Sequence, residues 1–254
     1  MEKLVGIIMA LLISLHGLPA HSQTECNLPP EKSPRLRGVR LGMRAETISK
    51  VLRTALIPKA KDTEYYNRNL PTSQYLSKRV QLSDPVLQEL IQEKTKVGII
   101  QSSNYSYIPI NLGETRAGLQ FDSKASRQPE SLNGVTAAFF SFYNKELYSI
   151  FFMYDSVAFD EFTLNQFAEF MAGALGVPAE AWAKSEGKAY LSLYMRCENF
   201  DVWVHRGSDK KVHISIQNIQ IYNAIMKRAE EAIMKMYEDR KKKILLNSAK
   251  GFKP

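Results

Sequence analysis

Two histidines, His205 and His213, are the residues best placed to do chemistry in this sequence. Apolar and polar residues alternate on both sides of the turn that separates them, and this alternation predicts two neighbouring strands. Along the first strand, Asp201, Trp203 and His205 point away from the core. Along the second strand, His213 and Ser215 face the same way. The two imidazoles would then be cross-strand neighbours and, with Asp201, could bind a metal ion weakly.

A zinc site needs three or four protein ligands at fixed geometry, and the sequence does not supply the remaining ligands at a recognisable spacing. The alternative is a pair of solvated histidines on the outer face of a hairpin. We therefore assign no metal site and retain His205, His213 and Asp201 only as candidate ligands.

The common catalytic motifs are absent from the sequence. It contains no G-x-G-x-x-G segment, no Walker A loop, no G-x-S-x-G elbow and no H-E-x-x-H helix. We expect no cofactor and favour a protein without catalytic activity. A hydrolase whose site has no recognised motif is the alternative.

The elements that must position these residues follow from the hydrophobic pattern. Strands are predicted near Leu36 and at about 98–100, 117–121, 135–142, 147–154, 190–197, 200–205 and 212–217. A first helix is predicted to bury Ile48, Val51 and Leu52, and further helices are predicted at about 85–94, 159–175 and 218–246. Residues 59–82 are predicted to be mostly loop. Strands grouped together, with helices before, between and after them, indicate an α+β fold with a mainly antiparallel sheet of about five to six strands.

The clearest predicted element is the hairpin made by 135–142 and 147–154. Because both faces of these strands are apolar, the hairpin should lie centrally in a sheet that is covered on both sides. The following helix carries an aromatic stripe that includes Phe159, Phe162 and Phe170. We interpret this stripe as core packing rather than as a ligand pocket.

Length and composition place the chain among ordinary globular proteins. It has 254 residues, of which 44% are apolar and 24% charged. These proportions exclude wholesale disorder and a collagen-like repeat. The formal net charge of +8 favours polyanionic partners and carries no information about the fold.

The N-terminus has the order of a secretory signal peptide. Met1-Glu2-Lys3 precedes an apolar run from Leu4 to Leu15, and Ala20 and Ser22 have the A-x-A spacing of a cleavage site. The run is shorter than the ~20 residues that span a bilayer. We predict that 1–22 is removed after Ser22 and that the protein is exported to the periplasm or the extracellular space.

After the signal peptide, 23–35 is predicted to be an extended leader and 36–218 a single domain. The leader contains Cys26, and Cys197 is the only other cysteine. In an oxidising compartment two cysteines can form one disulfide, which here would join the leader to the sheet. Two unpaired thiols are the alternative.

Residues 219–254 are predicted to form an amphipathic basic helix and tail. Four adjacent cations, Arg240, Lys241, Lys242 and Lys243, precede the apolar segment Ile244–Leu246. Such a segment can contact anionic lipid or another polyanion weakly. The alternative is a solvated helix end, since cations also stabilise the C-terminal end of a helix dipole.

Residues Leu36–Leu52 carry a partial resemblance to known proteins. Gly38, the Leu41-Gly42-Met43 turn and the helix after it resemble the entry motif of exported bacterial domains of the SmpA/OmlA type, which have a β-lactamase-inhibitor-like fold. The resemblance implies a helix that packs on a small antiparallel sheet. It also implies a non-catalytic protein of a bacterial envelope.

Three functional hypotheses follow. We favour an exported, non-enzymatic protein that binds an unknown protein or cell-envelope component. The alternatives are a binder of polyanions or anionic membranes that acts through the C-terminal helix, and an enzyme. Export argues against a nucleic-acid partner, although lysines and tyrosines interleave between Lys59 and Arg79. An exposed apolar groove or free sheet edge would favour the first hypothesis, and a deep pocket with converging carboxylates or histidines would favour an enzyme.

Overall fold

The computed structural model of the chain describes residues 26, 28, 32–67, 85–94, 96–100, 103–121, 129–155, 159, 161–187, 190–208 and 211–250. The predicted signal peptide lies outside these residues. So do most of the predicted leader, residues 251–254 of the tail and residues 68–82 of the predicted 59–82 loop.

The described residues form an α+β fold in which all strands belong to one sheet. The strands are β1 (Lys59–Asn67), β2 (Lys96–Ile100), β3 (Ser103–Gln120), β4 (Val135–Tyr143), β5 (Glu146–Asp155), β6 (Ala183–Gly187), β7 (Tyr190–Arg196), β8 (Phe200–Arg206) and β9 (Lys211–Asn218). The helices are α1 (Ala45–Leu52), α2 (Pro85–Lys94), α3 (Leu164–Leu175) and α4 (Ile219–Lys250).

The sheet order is β1-β3-β4-β5-β9-β8-β7-β6, and β2 pairs with the first residues of β3. Every neighbouring pair is antiparallel. The predicted antiparallel α+β fold is therefore confirmed. The predicted number of five to six strands is wrong, because the described residues alone form nine.

The prediction missed two strands, β1 and β6, that pair with only one neighbour each in the described part of the sheet. β1 occupies residues that were predicted to be loop, and its sequence is Lys-Ala-Lys-Asp-Thr-Glu-Tyr-Tyr-Asn. β6 reads Ala-Lys-Ser-Glu-Gly and is largely exposed. Strands at a sheet edge bury little surface, so they lack the apolar alternation by which a strand is recognised.

The β4–β5 hairpin lies in the middle of the sheet, as its apolar sequence predicts. Its turn residues Asn144 and Lys145 have φ of 51° and 68°, as a two-residue type I′ turn requires. On one face of the hairpin, Phe140 and Phe152 are fully buried. On the other face Phe139 and Phe151 are only half-buried, so this face is less covered than the first at these two rings.

One face of the sheet forms the main core. Its buried residues include Phe140, Phe152, Val204 and Ile214 from the central strands, and they belong to one cluster with Ile48 and Leu52 of α1 and Phe167 and Met171 of α3. Because side chains alternate along each strand, the residues between these positions face the opposite side of the sheet. We call the side that carries the main core the inner face, and the opposite side the outer face.

α3 is shorter than predicted. It begins after Thr163, whose side chain accepts a hydrogen bond from the Gln166 backbone N–H in a capping box. It ends at Gly176, which is left-handed. Phe159 and Phe162 therefore precede the helix, where they contact Phe170 through edge-on ring contacts. The loop and helix together, rather than one helical stripe, form this aromatic cluster.

The long helix α4 leaves the sheet directly after β9. The Asn218 side chain accepts a hydrogen bond from the Ile221 backbone N–H at its first turn. Ala229 and Ile233 are buried in a second, smaller cluster with Leu90 of α2 and Ile110 of β3. The helix thus packs against α2 and the β3 end of the sheet. None of the helices in the described residues is both long and apolar enough to cross a membrane.

The segment that enters the domain is less regular than predicted. Leu36 and Val39 form an isolated pair of backbone hydrogen bonds rather than a strand. The Gly42 N–H then donates to the Leu147 carbonyl, and the Leu147 N–H donates to the Met43 carbonyl. These bonds fix the start of α1 against the first residues of β5.

Candidate functional site

A row of aromatic and imidazole rings crosses the outer face of the sheet. Its members are Tyr190 on β7, Trp203 and His205 on β8, His213 on β9, Phe151 on β5 and Phe139 on β4. We call these six residues the ring row. Consecutive rings along it have centroids 5.2 to 6.1 Å apart, so the row is continuous across five strands.

The two predicted histidines lie at the centre of the ring row. His205 pairs with His213 in the register of β8 and β9, and their ring centroids are 6.1 Å apart. This is the arrangement that strict alternation predicts. His213 also contacts the Phe151 ring, with centroids 5.7 Å apart, which extends the row toward the middle of the sheet.

The most exposed rings lie at the β7–β8 side of the row. Trp203 stacks against His205 with centroids 5.2 Å apart and planes 16° apart. Tyr190 stacks against the same imidazole at 5.8 Å and 30°. Both Tyr190 and Trp203 are 39% exposed. The Trp203 indole Nε1–H donates to Ser192 Oγ at 3.0 Å, which fixes the orientation of the indole.

Two glycines make room for the rings at the ends of the row. Gly187 pairs with Tyr190 across β6 and β7, and a Cβ at Gly187 would overlap the Tyr190 ring. Gly118 pairs with Phe139 across β3 and β4, and a Cβ there would lie 3.0 Å from the ring. Both rings therefore lie over bare backbone, an arrangement that orders an aromatic side chain on a sheet.

Asp201 does not join the histidines. It lies four residues before His205 on β8, which places the two roughly 13 Å apart along an extended strand. Its carboxylate accepts two hydrogen bonds from Arg196, from Nε at 3.1 Å and from Nη2 at 3.2 Å. Among the described residues no group of three or more His, Cys, Asp and Glu side chains could hold a metal ion. The geometry therefore separates the three candidate ligands.

Charged side chains around the ring row come mostly in opposite pairs. Arg196 binds Asp201, and Lys211 lies opposite Asp155 in the register of β5 and β9. The Arg116 guanidinium lies 4.4 Å from the centroid of the Phe139 ring, as a cation–π contact. The cations near the β8 and β9 rings thus lie beside carboxylates, whereas Arg116 adds a positive charge at the Phe139 end of the row.

Tyr194 lies beside the ring row, opposite Trp203 in the register of β7 and β8. Partial burial, followed by a hydrogen bond to Asp201 and the charge of that carboxylate, raises the pKa of Tyr194 to about 12. Its phenol is therefore held neutral beside the Arg196–Asp201 pair. This small network provides hydroxyl, carboxylate and guanidinium groups at the border of the rings.

A buried polar pair lies between β3 and β5, at the edge of the region covered by α4. Tyr148 donates a hydrogen bond to Glu114, and Glu114 is only 2% exposed. Burial, with the hydrogen bond and charge of Glu114, raises the pKa of Tyr148 well above its usual range. No sequence pattern indicates this pair, because a single Glu and a single Tyr on different strands carry no spacing signal.

The predicted polybasic segment is only partly available for binding. Arg240 forms a salt bridge of 3.0 Å with Glu89 of α2, and it also binds Glu93. Lys241 lies 5.9 Å from the centroid of the Tyr237 ring. Ile244, Leu245 and Leu246 are exposed, but consecutive helical residues are about 100° apart. The three apolar side chains therefore do not share one face.

Cys26 and Cys197 form a disulfide in the structure. The Glu198 N–H also donates to the Cys26 carbonyl at 3.2 Å. Cys197 directly follows β7, and the two sulfur-bearing residues are 171 positions apart in the chain. The disulfide therefore closes a long loop and fixes the start of the described chain against the sheet.

A cavity of about 350 Å³ lies near the start of α1 and the start of α4. Its lining includes Arg40, Met43, Glu146 and Asn218. One guanidinium and one carboxylate line it, and neither of the two predicted histidines does. The cavity therefore does not bring together the several carboxylates or histidines that the sequence analysis associates with an enzyme.

Comparison of the chain with known proteins yields no relatives. No protein-family model, no curated protein and no solved structure matches it. Its function must therefore be inferred from the geometry of its own residues, and the ring row is the most extensive arrangement among those described.

Proposed function

We propose that the chain is an exported, non-catalytic binding protein that contacts its ligand through the ring row. The continuous contact of rings from five strands on the outer face carries this proposal. Exposed Trp and Tyr side chains supply large contact area at low entropy cost and are enriched at binding surfaces. Trp203 and Tyr190 are such side chains, and the rings beside them hold them in place.

The outer face is a better binding surface than either edge of the sheet. β6 carries Lys184 and Glu186, both exposed, and β1 carries several charged residues. Charged residues on an edge strand oppose the addition of another strand. Ligand contact is therefore expected on the rings rather than through strand addition.

Two features support the exported part of the proposal. The N-terminal sequence has the order of a signal peptide. The Cys26–Cys197 disulfide is of a kind that persists in oxidising compartments. The partial resemblance of 36–52 to exported envelope domains agrees with both.

The test measures binding of the purified, disulfide-bonded protein to cell-envelope material from the producing organism. We expect Trp203→Ala to lower the bound fraction about 10-fold or more. Phe170→Ala is the matched control, because Phe170 is an exposed aromatic residue outside the ring row, 48% exposed. Equal loss in both variants, or no loss in Trp203→Ala, would contradict the proposal.

A further inference from the structure

We infer that the ligand of the ring row is an uncharged polysaccharide chain. This inference rests on the proposed binding function, and it adds the chemical class of the ligand. It follows from the length of the row, the chemistry of its borders and its charge.

The length of the ring row favours a polymer. The row extends from Tyr190 on β7 to Phe139 on β4 and so crosses five strands. At a strand spacing of about 4.8 Å the row is roughly 19 Å long. A single small ring would contact only one or two of its members. An extended chain of rings can contact several of them at once.

The chemistry of the row suits sugar rings. An aromatic face is electron-rich and attracts the partly positive C–H groups that cover one side of a pyranose ring. Around the rings lie short polar side chains on the same face, among them Ser192, Ser215 and Gln217. Their hydroxyl and amide groups can both donate and accept hydrogen bonds, as the hydroxyl groups of a saccharide require.

The charge of the face argues against a polyanion. A surface that binds single-stranded nucleic acid combines stacking rings with a positively charged groove. Here the Arg196 charge is balanced by Asp201, and Lys211 lies opposite Asp155, so the cations do not form a continuous positive groove; Arg116 adds one positive charge at the Phe139 end of the row. The basic residues of α4 that gave the polybasic prediction begin at Arg240, which contacts α2 and not the ring row. An uncharged chain matches the face better than a phosphate-bearing one.

The experiment uses the same envelope binding assay, with the envelope material treated before the protein is added. One portion is oxidised with periodate, which cleaves sugars that carry neighbouring hydroxyl groups, and is then quenched and washed. A second portion is digested with protease and a third with nuclease. Wild type, Trp203→Ala and Phe170→Ala are measured on each portion at low and high salt.

We expect the Trp203-dependent binding to fall at least 10-fold after periodate and to change less than 2-fold after protease, nuclease or added salt. Soluble hydroxyethylcellulose and dextran serve as defined uncharged probes, and single-stranded oligothymidylate as the charged one. Loss of Trp203-dependent binding after protease or nuclease, with retention after periodate, would overturn the polysaccharide inference and leave the proposed function standing. Absence of any Trp203-dependent binding would overturn both.

Discussion

His205 and His213 face each other across β8 and β9, with ring centroids 6.1 Å apart. Val204 and Ile214, which are adjacent to the two histidines in sequence, are buried in the core. Because side chains alternate along a strand, both imidazoles face the opposite side of the sheet. The pair instead joins two groups of rings. Tyr190 and Trp203 lie on one side, and Phe151 and Phe139 lie on the other. The histidines thus lie at the middle of the ring row.

The first prediction concerns the glycine beneath Tyr190. Gly187→Ala should destabilise the protein by about 1 kcal/mol, because the new methyl group displaces the ring that lies over residue 187. In a Tyr190→Ala background the same substitution should become neutral or stabilising, since alanine is more favourable than glycine in a strand. Urea unfolding of the four proteins gives the coupling between the two sites. Equal effects in both backgrounds would show that the ring does not lie over Gly187.

The second prediction concerns the buried Tyr148–Glu114 pair. Tyr148→Phe should lower the free energy of unfolding at pH 7 by about 1–3 kcal/mol, because the buried Glu114 carboxylate loses a donor. Phe142→Leu is a control for a general effect of core substitution in the same hairpin. Glu114→Gln should be better tolerated than Tyr148→Phe, since an amide oxygen can still accept the hydrogen bond. The reverse order would contradict the assigned donor and acceptor.

The third prediction is a loss of stability at alkaline pH. The pKa values of Tyr148 and Tyr194 are raised in the folded protein, so the folded state holds these protons more tightly than the unfolded chain does. Their stabilising contribution is complete below pH ~10, the usual tyrosine pKa, and is lost as pH rises above it. Urea midpoints measured from pH 8 to 12 should fall more steeply in wild type than in Tyr148→Phe. Parallel curves would argue against the raised pKa of Tyr148.

The fourth prediction concerns the disulfide. Replacing Cys26 and Cys197 by serine should lower the free energy of unfolding by about 2–5 kcal/mol, because a long loop is no longer closed in the unfolded chain. Reductant should destabilise wild type and leave the double variant unchanged. Peptide mapping without reduction should recover one linked pair. Two alkylated cysteines in freshly prepared protein would contradict the bond.

Sequence reasoning identified the central strands and missed the edges for a physical reason. β4, β5, β8 and β9 bury large side chains on the inner face, so their apolar pattern is visible in the sequence. β1 and β6 carry charged residues, and β6 is largely exposed, so their sequences resemble loops. A strand's partners, rather than its own composition, decide whether such a segment joins the sheet.

The candidate site was predictable in part for a similar reason. Alternation placed Trp203, His205 and His213 on one face without any knowledge of the rest of the fold. It did not join them to Phe139, because Phe139 lies in a continuous apolar run whose two faces cannot be told apart from the sequence alone. Only the β5–β9 pairing, which connects strands far apart in the chain, makes the ring row continuous.

The last prediction distinguishes the cations at the end of α4. Arg240 is held between Glu89 and Glu93 of α2, so its charge is already balanced by the protein. Lys242 and Lys243 lie two and three residues further along the helix, and both are exposed. Cations near an anionic membrane attract it by about 1 kcal/mol each, provided that they are not already neutralised. In sedimentation with phosphatidylglycerol vesicles at low salt, Lys242→Ala/Lys243→Ala should reduce binding several-fold more than Arg240→Ala does.

The cause of that difference can be checked within the same assay. Glu89→Gln/Glu93→Gln should increase vesicle binding, because it releases the Arg240 charge and removes two negative charges from the neighbouring helix. Added salt should abolish all of these differences, since exposed charges are screened within about 10 Å at 0.1 M. If Arg240→Ala weakened binding as much as the double lysine variant, the salt bridge to α2 would not hold Arg240 in solution. The polybasic segment would then act as four equivalent cations, as the sequence alone suggests.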